Sequence, residues 1–328
     1  MTASAGVAVD FAGPSFEAAK QHPLLLASPD TPVAVAVPAW FTMADRRQLL
    51  THLDPEGARP IGLVSSALAA AHNRHASRSR WSRAPELVVD VRLGWSAGLI
   101  HFTADGLTEV AAWGIAPHDA GGDVDDATVC RWFIDQLFAA SEAVLGTPSI
   151  RAVLVIDDGG ERTELVRQAV KRCRHTLAGC SVNAGQSKDI VRGGVELVAR
   201  PDGVRHTVGA LTHALTVRAD DDPERQAMCV VAVEHALFPS TSRQVFELGP
   251  DDGAPLHFDI YEQHRNAPTE GTIDHRLVVR ANLVRERGYD QNMMVTFELG
   301  SNGLLSIGPR NAWSLDWQPG SLELEGSG

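Results

Sequence analysis

Helical periodicity runs through the first two hundred residues of this chain and then stops. Up to about Arg200, apolar strand runs alternate with amphipathic helical stretches. Beyond it come short β-rich runs divided by Gly, Pro, Asp and Asn. A chain patterned in this way must bury two different cores, one between helices and a sheet and one between sheets. The fold class expected is α/β followed by all-β. The expected boundaries are 1–200 for the α/β domain, 201–210 for a linker, 211–311 for an antiparallel β-sandwich and 312–328 for a polar tail.

Within the first domain, "VAVAVP" reads as a buried strand, and the stretch "TMADRRQLLTHL" behind it reads as a helix capped by Thr42 and Asp45. "LVVDV" and "AGLIHF" suit a hairpin, with "LTEVAAWG" as a third strand. In "ATVCRWFIDQLFAASEAVLG", Val129, Trp132, Phe133, Ile134, Leu137 and Phe138 form a broad apolar face that stops at Gly146. "RAVLVID" is another buried strand. The helix after it is expected to bury Leu165, Val166, Ala169, Val170, Cys173 and Leu177. In the second domain, Leu256, Phe258 and Ile260 alternate with His257, Asp259 and Tyr261, the period of a half-buried strand. The Asn-Gly pair in "ELGSNGLLS" suits a tight hairpin turn.

Charge and composition exclude several functions. A formal net charge of −12 argues against nucleic acid as a partner, because phosphate binding needs clustered Lys and Arg. No apolar run reaches the roughly 18 residues of a membrane span, and the N-terminus lacks the pattern of a secretory signal. Cys130, Cys173, Cys180 and Cys229 are scattered without a CxxC pair, which suits buried free thiols in a reduced, cytoplasmic compartment. No metal site and no cofactor are expected from these spacings.

Three segments in order, "FPSTSRQVFEL", "LHFDIYEQ" and "VTFELGSNGLLSI", resemble signature segments of the substrate-binding sandwich of the heat-shock protein 70 family. The first half is then similar to that family's actin-like (ribonuclease H-like) ATPase domain. "VAVAVPAWFTMADRRQL" matches its strand-proline-aromatic-helix segment, and "VAVDFAGPS" lies at the first phosphate loop with Asp10 at the acidic position. "LVVDVRLGWSAG" falls at the second phosphate loop, and "LVIDDGGERTELV" at the adenosine-binding turn. The resemblance marks Asp10, Asp90, Gly94, Gly159 and Gly160 as the vestige of a nucleotide site.

A phosphate loop needs glycines so that its backbone N–H groups can approach the anion. The family has three glycines and a threonine where this chain has Arg92, Leu93, Gly94 and Trp95. Ser65-Ser66 replaces a Glu-Pro pair of the family, and the segments that would carry two covering subdomains are short. Asp10 and Asp90 have two readings. They hold Mg²⁺ through water, as in the family, or they end strands and cap turns. The loop itself reads as closed to phosphate.

The resemblance also places a peptide channel in the sandwich, with Leu256 at the pocket floor, Phe258 beside it, Phe246 on the wall and Val217 on the first strand. The same four residues also suit plain sandwich core. No helical lid is expected after the sandwich, and "ARPDGVRHTVGAL" lacks the leucine-rich linker of the family. The expectation is a protein without enzyme activity: a lidless, nucleotide-independent relative that binds a polypeptide client or a dedicated partner. Exposed actin-fold surface on the α/β domain would serve self-association. The alternatives are a minimal active ATPase chaperone and a purely structural subunit with its channel filled.

Overall fold

The computed structural model describes residues 7–10, 31–54, 61–76, 84–103, 106–117, 125–146, 150–173, 179–199, 209–219, 229–247, 256–265, 273–283, 292–311 and 323–325. The first half is mixed α/β. Strands β1 (Val7–Asp10), β2 (Val33–Val37) and β3 (Ile61–Ser65) form a parallel sheet in that order. Helix α1 (Met43–Leu53) connects β2 to β3, and α2 (Ser66–Ala76) follows β3 directly. The cap expected from sequence is present: Asp45 N–H donates to Thr42 Oγ1 while Thr42 N–H donates to Asp45 Oδ2.

A second sheet is built from β4 (Glu86–Asp90), β5 (Trp95–Thr103), β6 (Gly106–Ile115), β7 (Ala152–Ile156) and β8 (Ser181–Gly185). Its order is β6-β5-β4-β7-β8. The first three strands form an antiparallel meander, while β7 and β8 run parallel to β4. Helices α3 (Asp126–Leu145) and α4 (Glu161–Arg172) cover one face, where Leu87, Val89, Trp95 and Leu99 pack on Phe133, Leu137 and Val166. Helices α2 and α5 (Ser187–Val198) cover the other, where Val88, Ile100 and Ile156 meet Leu68, Ile190 and Leu197. Residues alternate faces along a strand, so every residue of β4 is buried. Helix α3 ends at Gly146 with φ 72°, the left-handed cap that the sequence indicated. Helix α4 ends at Arg172 with Cys173 as its cap, and Leu177 lies outside the described residues.

The second half is antiparallel. Two short strands, β9 (Gly209–Ala210) and β12 (Leu237–Phe238), pair with each other. The remaining strands are β10 (Ala214–Ala219), β11 (Cys229–Ala232), β13 (Ser240–Glu247), β14 (Leu256–Arg265), β15 (Ile273–Leu283), β16 (Asn292–Leu299), β17 (Leu305–Asn311) and β18 (Glu323–Glu325). They form one sheet of order β11-β10-β14-β15-β18 and another of order β13-β16-β17. A single hydrophobic cluster joins them: Val217, Phe258 and Ile260 from the first, Phe246, Val295 and Phe297 from the second. Two details depart from the sequence reading. The last two residues of the expected linker are strand β9, and within the expected tail Glu323–Glu325 pairs with Arg280–Asn282 as β18.

Candidate functional site

Asp90 ends β4, and the turn after it folds back on the carboxylate. Arg92 Nε donates to Asp90 Oδ1 at 2.8 Å and Nη2 to Oδ2 at 2.7 Å, a bidentate pair of two buried side chains. The loop amides point inward as well. Val91 N–H donates to Ile156 O at 3.1 Å, and Arg92 N–H to Asp90 Oδ1 at 3.3 Å. From the start of α4, Arg162 reaches over: Nη1 donates to Val91 O at 2.6 Å and Nε to Asp126 Oδ2 at 3.0 Å. Its guanidinium also lies 5.6 Å from the ring centroid of Trp95. Trp95 is buried against Phe133, with ring centroids 5.8 Å apart. A phosphate would find the Val91 and Arg92 amides already engaged, and a metal ion would have to displace Arg92 from Asp90.

The glycines serve packing and turns. A Cβ on Gly94 would sit 2.9 Å from Ile115 O and 3.2 Å from Trp40 Nε1, so close approach of two segments explains it. Gly160 has φ 79° and stands at the N-cap of α4. Gly159 has no such demand, since a Cβ there would meet only Asp157 Oδ1 at 3.8 Å. Around this turn the acids act as caps. Asp157 accepts from Thr163 N–H and Gly159 N–H, and Asp158 accepts from Ser187 N–H at the start of α5. Burial works against ionisation of Asp157, yet the donors from Thr163, Gly160 and Gly159 outweigh it and hold the carboxyl below its ordinary value. Asp10 ends β1 opposite Ala36, on the other sheet from Asp90, and its side chain lies outside the described residues.

In the β half, Val217, Phe246 and Phe258 are brought together in the cluster that joins the two sheets. The Phe246 and Phe258 rings meet edge to face with centroids 5.1 Å apart, and Phe246 also reaches Phe297 at 6.5 Å. Val217 and Phe258 are fully buried. Leu256 opens β14 opposite Leu283, and its side chain lies outside the described residues.

A second polar site escaped the sequence reading: the junction between the halves. Met43 belongs to the β-half core, and its N–H donates to Glu262 Oε1 at 2.8 Å. Arg46 Nη1 donates to Asn302 O at 3.3 Å, and Leu63 N–H donates to Asn302 Oδ1 at 3.0 Å. Thr212 Oγ1 donates to Ala39 O at 2.6 Å, and His235 lies on Trp113 with centroids 4.8 Å apart. Beneath this layer Glu109 is 1% exposed and accepts from Ser65 Oγ at 2.7 Å. Burial pushes its carboxyl up to about 7, against Ser65, the Ala210 amide and Arg46, which favour the ionised form. Burial likewise holds the Arg46 guanidinium below its ordinary value, against Glu109, Glu262 and Asp45. The one local signal was an acid in the apolar run "LTEVAAWG"; its hydrogen-bond partner Ser65 lies 44 residues away along the chain.

Among the described residues there is no group of three His, Cys, Asp or Glu side chains placed to hold a metal ion. No described helix is long and apolar enough to cross a membrane. Cys130 and Cys173 are buried free thiols and Cys180 is a half-buried one. No protein-family model and no curated protein matches the chain. Among solved structures it is similar to an inorganic polyphosphate/ATP-glucomannokinase from Arthrobacter sp. strain KM. That likeness has 15% identity and a TM-score of 0.33, and covers 53% of this chain and 75% of the kinase. A TM-score of that size is too low to support an inference about fold or activity.

Proposed function

We propose that this chain is a nucleotide-independent relative of the heat-shock protein 70 chaperones, a polypeptide-binding or assembly module whose α/β half is a platform for the β half. One observation carries the reading. The acid at the end of β4 is matched by Arg92 of its own turn, and Arg162 closes the turn from α4. The strand order β6-β5-β4-β7-β8, with helices on both faces, supports a reduced actin-like domain. The core shared by the two antiparallel sheets supports a sandwich.

With Val217, Phe246 and Phe258 in that core, the reading that fits best puts the partner on the outside of the sheets. Val230 on β11 and Val245 on β13 are 48% and 62% exposed, and Gln244 Nε2 donates to Val230 O between the two strands. Exposed valines on terminal strands of two sheets suit an extended apolar segment of another polypeptide. The test is capture of a fluorescent apolar peptide, followed by anisotropy with and without ATP and Mg²⁺. The reading expects nucleotide-independent capture that Val245→Glu weakens at least about tenfold. Release driven by ATP would favour the minimal ATPase instead. Full capture by Val245→Glu would move the binding site elsewhere.

A further inference from the structure

We infer that the α/β half positions the β11–β13 edge of the β half, with Trp113 and Arg46 as the positioning residues. That this edge takes a polypeptide rests on the reading above; that the α/β half sets its place does not. Four large apolar side chains are exposed along the chain from β11 to β13. Val230, Val233, Leu237 and Val245 are 48%, 63%, 42% and 62% exposed. Single exposed residues of this kind are ordinary, whereas a run of them along one edge marks an interaction surface. Gln244 Nε2, which donates to Val230 O, holds the two outer strands side by side.

Between those strands the chain runs onto the junction. His235 has φ 65°, a left-handed conformation that a non-glycine residue keeps only where its surroundings hold it. The β half holds the backbone there. His235 N–H donates to Leu211 O at 2.9 Å, Leu211 N–H to Ala236 O at 3.0 Å and Ala236 N–H to Val233 O at 3.0 Å. The α/β half holds the side chains. The His235 ring lies on Trp113 of β6, and Arg46 of α1 places its guanidinium carbon 5.9 Å from the Phe238 ring centroid. The Phe238 ring presses on Gly209 of β9, where a Cβ would sit 2.3 Å from Cζ, and β9 pairs with β12. Ala39, Ala112 and Ala210 then form a small buried cluster, one residue each from the β2–α1 connection, β6 and β9. Thr212 Oγ1 ties the same place to Ala39 O. A displacement of the α/β half is therefore passed to β9 by packing, to β12 by strand pairing and to the valines on either side of β12 by the chain itself.

Hydrogen exchange and peptide capture on the full chain test this together. The amides of Leu211, His235 and Ala236 donate within the β half, so a substitution in the α/β half reaches them through position. Trp113→Leu should lower their protection at least about tenfold relative to Phe297 in β16, the strand between β13 and β17. It should also weaken capture of the fluorescent apolar peptide at least about fivefold. Trp113→Phe, which keeps a ring against His235, should restore both. Should Trp113→Leu fail to fold, Thr212→Val cuts the tie to Ala39 O and should lower His235 and Ala236 protection about threefold relative to Phe297. A loss of protection shared equally with Phe297 would overturn the inference, because it reports general destabilisation. So would unmoved amides, a Trp113→Phe no better than Trp113→Leu, or capture that Trp113→Leu leaves intact. If the unaltered protein captures no peptide, the binding reading falls and the exchange pattern alone decides the positioning.

Discussion

Two buried polar sites sit at the ends of this molecule's logic, and they differ in where their partners come from. At the turn after β4, one acid meets one base two residues away, with both oxygens of Asp90 engaged. At the junction the bonds join residues far apart in the chain: Met43 N–H to Glu262, Leu63 N–H and Arg46 to Asn302, and Thr212 to Ala39. The first site is neutral and local, and it closes a turn whatever the rest of the chain does. The second forms only when the halves come together. Burial alone therefore does not say what a charged group contributes; the origin of its partners does.

The largest expected effect breaks the junction. Arg46→Met removes a buried cation from near Glu109 and its hydrogen bond to Asn302 O, and should cost about 3–5 kcal/mol at pH 8, measured by denaturant unfolding, with a smaller loss at pH 5. Next comes the pH dependence of the unaltered protein. Glu109 is raised from 4.5 to about 7, so the folded form binds more protons across that window, and stability falls as pH rises. The contribution present below pH 4.5 and lost by about pH 7 is up to about 3 kcal/mol. Melting temperature across that range should show the loss, and Glu109→Gln should remove it.

The matched site should behave otherwise. Arg92→Ala removes the bidentate partner but leaves Asp90 its backbone donor, so the cost should be about 2 kcal/mol and the same at pH 5 and pH 8. A pH-dependent loss there would erase the contrast between the sites. The smallest effects concern the glycine pair. Gly160→Ala forces a Cβ into a left-handed conformation and should cost about 1 kcal/mol. Gly159→Ala meets open space and should stay within about 0.5 kcal/mol, with melting as the check on both.

The contrast also explains what could be read in advance. Local physics was legible: the Thr42–Asp45 cap, the stop at Gly146, the strand containing Phe258 and Ile260, and the loss of glycines at Arg92 and Leu93. That Arg92 would turn back onto Asp90 was not foreseen, although both residues stand in one short turn. The junction was illegible because nothing in "LTEVAAWG" announces a bulge, and Asn302 read only as a turn residue. Glu262 follows the apolar alternation of Phe258 and Ile260, where a polar residue signals a core stripe running into another surface. Helix α2 was hidden by its alanines, which pack tightly on the sheet without the long apolar side chains that mark a helical face.

We propose that the turn after β4 is closed to nucleotide by its own arginines. Titration calorimetry of the full chain with ATP and Mg²⁺ tests it most directly. A closed turn gives no saturable heat at nucleotide concentrations up to about 1 mM, equivalent to binding weaker than about −4 kcal/mol. Stoichiometric binding at micromolar ATP, lost in Gly159→Ala or Asp90→Asn, would contradict it.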